Sequence, residues 1–141
     1  MTTIEVPSNT VAGYYKFEAF REDADGNEIP GSRRVAADWF PNLITDVGLE
    51  AMGTVSVSTL TSWCRVGSGT TAPAFTDTGL VAQVAATNAE QASSYGAQAA
   101  APYYGFYTIT RRFAAGAAAG NLSEVGMADA STGGTLYTLG S

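Results

Sequence analysis

The chain contains no histidine and a single cysteine among its 141 residues. Without histidine there is no Ser-His or Cys-His pair to activate a nucleophile. With one cysteine, Cys64, there is no internal disulfide. Charge is also scarce: Asp, Glu, Lys and Arg make up 14 % of the residues, against about 25 % in an ordinary soluble domain. Hydrophobic residues, at 45 %, are at a normal level. A surface short of charge without extra hydrophobicity implies that much of it faces other protein; the plainer reading is a monomer rich in Ser, Thr and Gly. Only seven residues are basic and the net charge is −6. Nucleic-acid binders carry a positive stripe that neutralises phosphates. Here only Arg33-Arg34 and Arg111-Arg112 are paired, and neighbours on a strand point to opposite faces. They read as solvated or salt-bridging strand residues, and neither nucleic acid nor an anionic membrane is an expected partner. No apolar run approaches the ~18 residues of a membrane span, and Met1–Thr10 lacks the basic flank and apolar centre of a signal peptide. Synthesis and folding in a cytoplasm are expected.

What remains points to β-structure. The length suits one domain with a real core. Residues 1–10 read as an extended N-terminal arm, and residues 11–141 as one β-rich domain. Val11–Glu22 carries Tyr14, Tyr15, Phe17 and Phe20, a strand composition. Asp25-Gly26 is a hairpin turn signal, and Gly31–Phe40 returns as a second strand. After Pro41, Asn42 can cap a short helix over about 42–52 with Leu43, Ile44 and Val47 on its apolar face, ended by Gly53. It is the only helix expected. Val55–Thr61 suits a strand or a loop. Ser62–Gly67 reads as a buried strand, Gly67–Asp77 as a loop and Leu80–Val84 as a strand. Residues 85–102 are Ala-rich, hold little bulk except Tyr95 and cannot make a core. Tyr103–Phe113 is the clearest strand, followed by a final pair over Asn121–Ala130 and Thr135–Leu139. Short strands with regular turn signals give a mainly β fold, an antiparallel sandwich-like domain. Phe17, Trp63, Val66, Tyr107, Ile109 and Val125 are its expected core.

Chemistry-bearing patterns are weak. Gly67–Ala72 loosely matches a dinucleotide loop, which needs a helix directly after it, and Pro73 and Phe75 stand there instead. Asp23, Asp25, Asn27 and Glu28 look calcium-like, but Gly26 comes too early for an EF-hand loop, and a solvated hairpin tip fits better. Cys64, between Trp63 and Arg65, reads as an inert core residue. Asp38, Asp46, Glu50, Glu90 and Glu124 are the carboxylates a glycan-cleaving site would draw on, and no spacing pairs any two. Expected catalytic residues, cofactors and metal ligands are therefore none, and the chain is read as a non-enzyme. The aromatic run Tyr103, Tyr104, Phe106 and Tyr107 suits either a core strand or stacking on sugar or a partner chain. Tyr107 is read as core. Tyr104 and Phe106 share the opposite face, which is interface unless a second layer of the same chain covers it. Thr3, Ile4, Val6 and Val11 place apolar or β-branched side chains on a segment with no local partner. With Tyr95, Tyr104 and Phe106 they form the expected interface.

Three segments stand out in order: Phe40–Leu49 (FPNLITDVGL), Trp63–Pro73 (WCRVGSGTTAP) with Thr76–Leu80 (TDTGL), and Thr110–Gly126 (TRRFAAGAAAGNLSEVG). Together they resemble phage tail proteins. The first is like the N-L-I-T-x-x-G-L helix start of the N-terminal regions of tail-fibre and related virion proteins. The resemblance implies a structural virion module of a tailed bacteriophage, in a fibre or at the baseplate, that holds the host-attachment apparatus on the tail. It carries over no catalytic residue. It implies self-association, as a trimer because fibre proteins are typically trimeric, together with neighbouring tail or baseplate proteins and a place in the virion tail. In similar proteins the chain continues past the position of Ser141 with more strand, so these residues are read as suiting the N-terminal part of a longer chain. The alternative is a receptor-binding module for a host surface glycan or protein, and third in order comes a glycan-cleaving depolymerase.

Overall fold

A computed structural model describes residues 10–141. Nine strands and two short helices follow one another along them: β1 (Tyr14–Ala19), β2 (Arg34–Pro41), β3 (Leu43–Ile44), α1 (Asp46–Ala51), α2 (Val57–Leu60), β4 (Trp63–Gly67), β5 (Gln83–Thr87), β6 (Glu90–Ala97), β7 (Gly105–Arg111), β8 (Glu124–Ala128) and β9 (Leu136–Gly140). The fold is mainly β and every pairing is antiparallel.

The centre is a five-stranded sheet in the order β3-β9-β8-β4-β5. Its registers sort the side chains by face. Cys64 lies opposite Met127 and Val66 opposite Val125, so these four point the same way. All four are buried, and Tyr15, Phe17 and Phe40 of the β1–β2 hairpin pack on them together with Ile109 and Phe113. The hairpin thus forms a second layer over the sheet, sandwich-like in arrangement. On the other face Ala128, Leu136 and Leu139 form a second buried cluster, closed by Leu80. Leu60 of α2 is also fully buried. Each such side chain contributes roughly 1.5–3 kcal/mol by leaving water, so the sheet's two faces supply most of the stability.

The β1–β2 turn forms as its residues dictate. Gly26 takes a left-handed φ of 80°, which glycine adopts without steric penalty. The Asp23 carboxylate accepts hydrogen bonds from the amides of Asp25 and Asn27, both at 2.9 Å. The acid-rich tip therefore uses Asp23 on its own backbone.

Several expectations are corrected. The helix over about 42–52 begins later: Leu43 and Ile44 are drawn into the sheet as β3, opposite Leu139 and Thr138. Thr45, not Asn42, is the N-cap, accepting from the Gly48 amide at 3.0 Å while its hydroxyl donates to the Leu136 carbonyl. A second helix, α2, occupies part of the segment read as strand or loop, capped by the Ser56 hydroxyl. The strand expected at Leu80–Val84 is displaced to Gln83–Thr87, because a side chain of β8 holds the Val81 and Ala82 amides. The Ala-rich stretch 85–102 contains most of β5 and all of β6, and β6 is almost wholly exposed. Of the expected core, Val66 and Val125 are buried, and Phe17 and Ile109 are half-buried against them. Trp63 and Tyr107 are only half-buried and belong to neither cluster.

Candidate functional site

The ionisable side chains nearest the core are consumed by structure. Glu124, on β8, is buried, and its carboxylate accepts three backbone amides: Gly69 at 3.0 Å, Ala82 at 2.7 Å and Val81 at 2.9 Å. It clasps both ends of the 68–82 loop to the sheet. That loop contains no helix, so the glycine pattern there lacks the structure that would cradle a pyrophosphate. Arg65 is buried as well. Its Nε and Nη2 donate to the Ala130 carbonyl at 2.9 and 2.6 Å, and Nη2 also to that of Gly133, which fastens the β8–β9 turn. Burial lowers the Arg65 pKa from its ordinary value, and Asp129 opposes the shift. Burial pushes the Cys64 thiol up to about 12, so at neutral pH it is not a thiolate nucleophile.

The other candidate carboxylates are spread out. Asp38 accepts from the Trp39 amide, Asp46 and Glu50 lie on α1, and Glu90 accepts from the Ser93 hydroxyl. Among the described residues no three His, Cys, Asp or Glu side chains gather as a metal site. Among the described residues, an open cleft beside Pro41 and Pro73 and another beside Val11 and Phe75 are lined by no charged side chain. Among the described residues no helix is long and apolar enough to cross a membrane.

The feature left over is the β6–β7 hairpin. Among the described residues its strands pair only with each other, as a separate two-stranded sheet. Its base is well anchored. Arg111 donates to the carbonyls of Asn88 at 2.7 Å and Thr61 at 3.0 Å. Arg112 donates to Glu22 at 2.7 Å and to the Gly26 carbonyl at 2.8 Å, and its guanidinium lies 4.9 Å from the centre of the Phe20 ring. Arg33 bonds Glu28 and Glu18 and covers the same ring at 4.7 Å. Three of the four paired arginines are thus salt-bridged or bonded to backbone carbonyls.

Beyond that base the hairpin leaves the core. From Gln91 to Thr110 there is no charged residue. Tyr95 is 85 % exposed, Tyr103 76 %, Tyr104 56 % and Phe106 50 %. Tyr95 lies opposite Tyr107, and Phe106 opposite Gly96. Tyr95 and Phe106 are therefore on opposite faces of the ribbon, and the Phe106 ring lies over Gly96, 2.8 Å from where a Cβ would stand. Three of the expected interface residues, Tyr95, Tyr104 and Phe106, meet on this one element. Val11 is exposed elsewhere, in a cleft with Leu49 and Phe75. Thr3, Ile4 and Val6 lie outside the described residues.

The sequence reading missed a second exposed apolar group. Tyr14, Val35 and Trp39, on β1 and β2, are 61 %, 51 % and 60 % exposed. Alternation along β2 would have separated outward Trp39 from inward Phe40, but the register shifts near Phe17 obscure which alternate residues face the sheet. Comparison of the chain with protein-family models, curated proteins and solved structures finds no match.

Proposed function

We propose that the protein is a structural component of a tailed-phage virion, a tail-fibre or baseplate-associated module that acts by packing against other protein. The observation that carries the assembly role is the β6–β7 hairpin, a long uncharged ribbon whose aromatic side chains are left open to solvent. A monomer that gains nothing from such a surface would be expected to shield it with charge. The tail assignment rests on the three segments between Phe40 and Gly126 quoted above. On this reading the partners are other copies of the chain, as a trimer by resemblance, and neighbouring tail or baseplate proteins. The chain is made in the bacterial cytoplasm and carried in the virion tail, and it has no catalytic role. The test is antibody labelling of purified virions under the electron microscope. Label on the tail or baseplate supports the reading, and unlabelled virions overturn it.

A second reading, recognition of a host glycan or protein, is favoured by the exposure of Tyr95, Tyr103 and Tyr104, since open tyrosines suit stacking on sugar rings. Binding of the purified chain to host cell-surface extracts, lost on replacing these tyrosines, would favour it over an anchoring role.

A further inference from the structure

If the chain is the assembly component proposed above, we infer that its copies meet through the β6–β7 hairpin, by strand addition at the ribbon's free edges. Among the described residues β6 and β7 each have one partner, so each presents an outer row of backbone amides and carbonyls to anything that joins them. Soluble proteins block such rows with Lys, Pro, inward charges or a covering element. Here β6, from Glu90 to Ala97, holds neither Lys nor Pro, and its one charged residue is at the anchored end. A two-stranded ribbon is also marginal in water by itself, and a third strand stabilises it.

Charge selects the occupant. A partner with a charged edge would lose hydration against this ribbon and find no counter-charge in return. The chain's own hairpin is an uncharged edge of the required kind. Two copies each carry a net charge of −6, and contact between their bodies would bring like charges together. The eight residues of β6 span roughly 26 Å at ~3.3 Å per residue. The Debye length at physiological salt is about 8 Å. Antiparallel pairing of the two ribbons sets each body at the far end of the other's hairpin, a separation longer than that screening distance. The aromatic side chains on both faces then meet their counterparts, as cross-strand pairs in a continuous sheet.

The test is sedimentation equilibrium of the full chain over a wide concentration range, for wild type and two variants. Ser94→Lys places a cation in the middle of β6, and Glu50→Lys places one on α1 in the body. Both make the net charge less negative, so nonspecific electrostatics would strengthen association in each. Edge pairing instead predicts self-association of wild type, at least tenfold weaker binding for Ser94→Lys, and equal or stronger binding for Glu50→Lys. A wild-type chain that stays monomeric, or a folded Ser94→Lys that associates like wild type, overturns the hairpin contact. Hydrogen exchange on wild type supplies a readout without mutation. Protection in Glu90–Ala97 or Gly105–Arg111 should rise with concentration, and protection that rises only elsewhere also overturns the contact. Virion labelling decides the tail assignment separately, so a monomeric chain found on tails would refute the hairpin contact alone.

Discussion

Glu124 and Gly67 face each other across β8 and β4, and the Glu124 carboxylate fills the space that a side chain at position 67 would need. The same carboxylate receives the amides of Gly69, Val81 and Ala82. An uncompensated buried donor costs about 1–3 kcal/mol. Glu124→Gln turns one accepting oxygen into an NH2 group that faces an amide donor, so it should lower stability by at least that amount. Gly67→Ala should cost about 1–3 kcal/mol by overpacking. Urea unfolding of both variants checks this, and a change below half a kcal/mol in either would show that the clasp is not tight.

Arg65 is expected to resist its nominally conservative replacement. A guanidinium can hold the Ala130 and Gly133 carbonyls together through its fork, which a single ammonium does not reproduce. Arg65→Lys should lose roughly 1–3 kcal/mol and raise amide exchange in the 129–135 turn. A variant with wild-type stability and exchange would contradict the fastening role.

Alkali should destabilise the fold. Burial raises the Cys64 thiol from 9.0 to about 12. It also raises the Tyr15 phenol well above its ordinary 10.0, partly offset by the phenol's hydrogen bond with Thr138. Both groups keep their protons in the folded state after the unfolded chain has lost them. Their contribution is therefore complete below about pH 9 and is lost as pH rises toward the folded values, at up to about 1.4 kcal/mol per pH unit for each group. Denaturation midpoints between pH 8 and 11 should fall, and should fall less steeply in Tyr15→Phe and Cys64→Ala. Parallel slopes in all three proteins would refute the assignment.

Core and rim residues should separate cleanly by mutation. Leu136 is fully buried, and Leu136→Ala should cost ~2–5 kcal/mol. Tyr107, half-buried on the hairpin, should cost markedly less when truncated. Equal losses by thermal or urea unfolding would mean that the hairpin is part of the core.

The contrast between those two residues also marks how far the fold was legible in the sequence. Some short-range signals held. Asp25-Gly26 named a turn, and Val66 and Val125 declared a buried pair of strands through their β-branched, apolar neighbourhoods. The long-range pairings were not legible. Leu43 and Ile44 fit a helical spacing, and only the arrival of β9 beside them makes them strand. Glu124 looked like one scattered acid, because its three partners are amides, which carry no sequence signature. Tyr107 was placed in the core from alternation alone, and alternation does not say whether a second layer exists over a given strand. Of the exposed aromatic residues, the sequence singled out Tyr95, Tyr104 and Phe106 individually. Their union on one ribbon needed the register.

The order β3-β9-β8-β4-β5 also sets a timetable. Thr45 and Leu136, bonded where α1 meets the β3–β9 side of the sheet, are 91 residues apart in the chain. At a synthesis rate of roughly 5–20 residues per second, β3 emerges from the ribosome about 5–20 s before β9 can join it. Until then Leu80 lacks the Leu136 and Leu139 side chains it packs against, and the sheet cannot close however well its earlier hairpins have formed. The nascent chain thus passes through a window of seconds with its apolar interior open. That window is when a holdase chaperone would find it, and when two unfinished copies would be most prone to join wrongly.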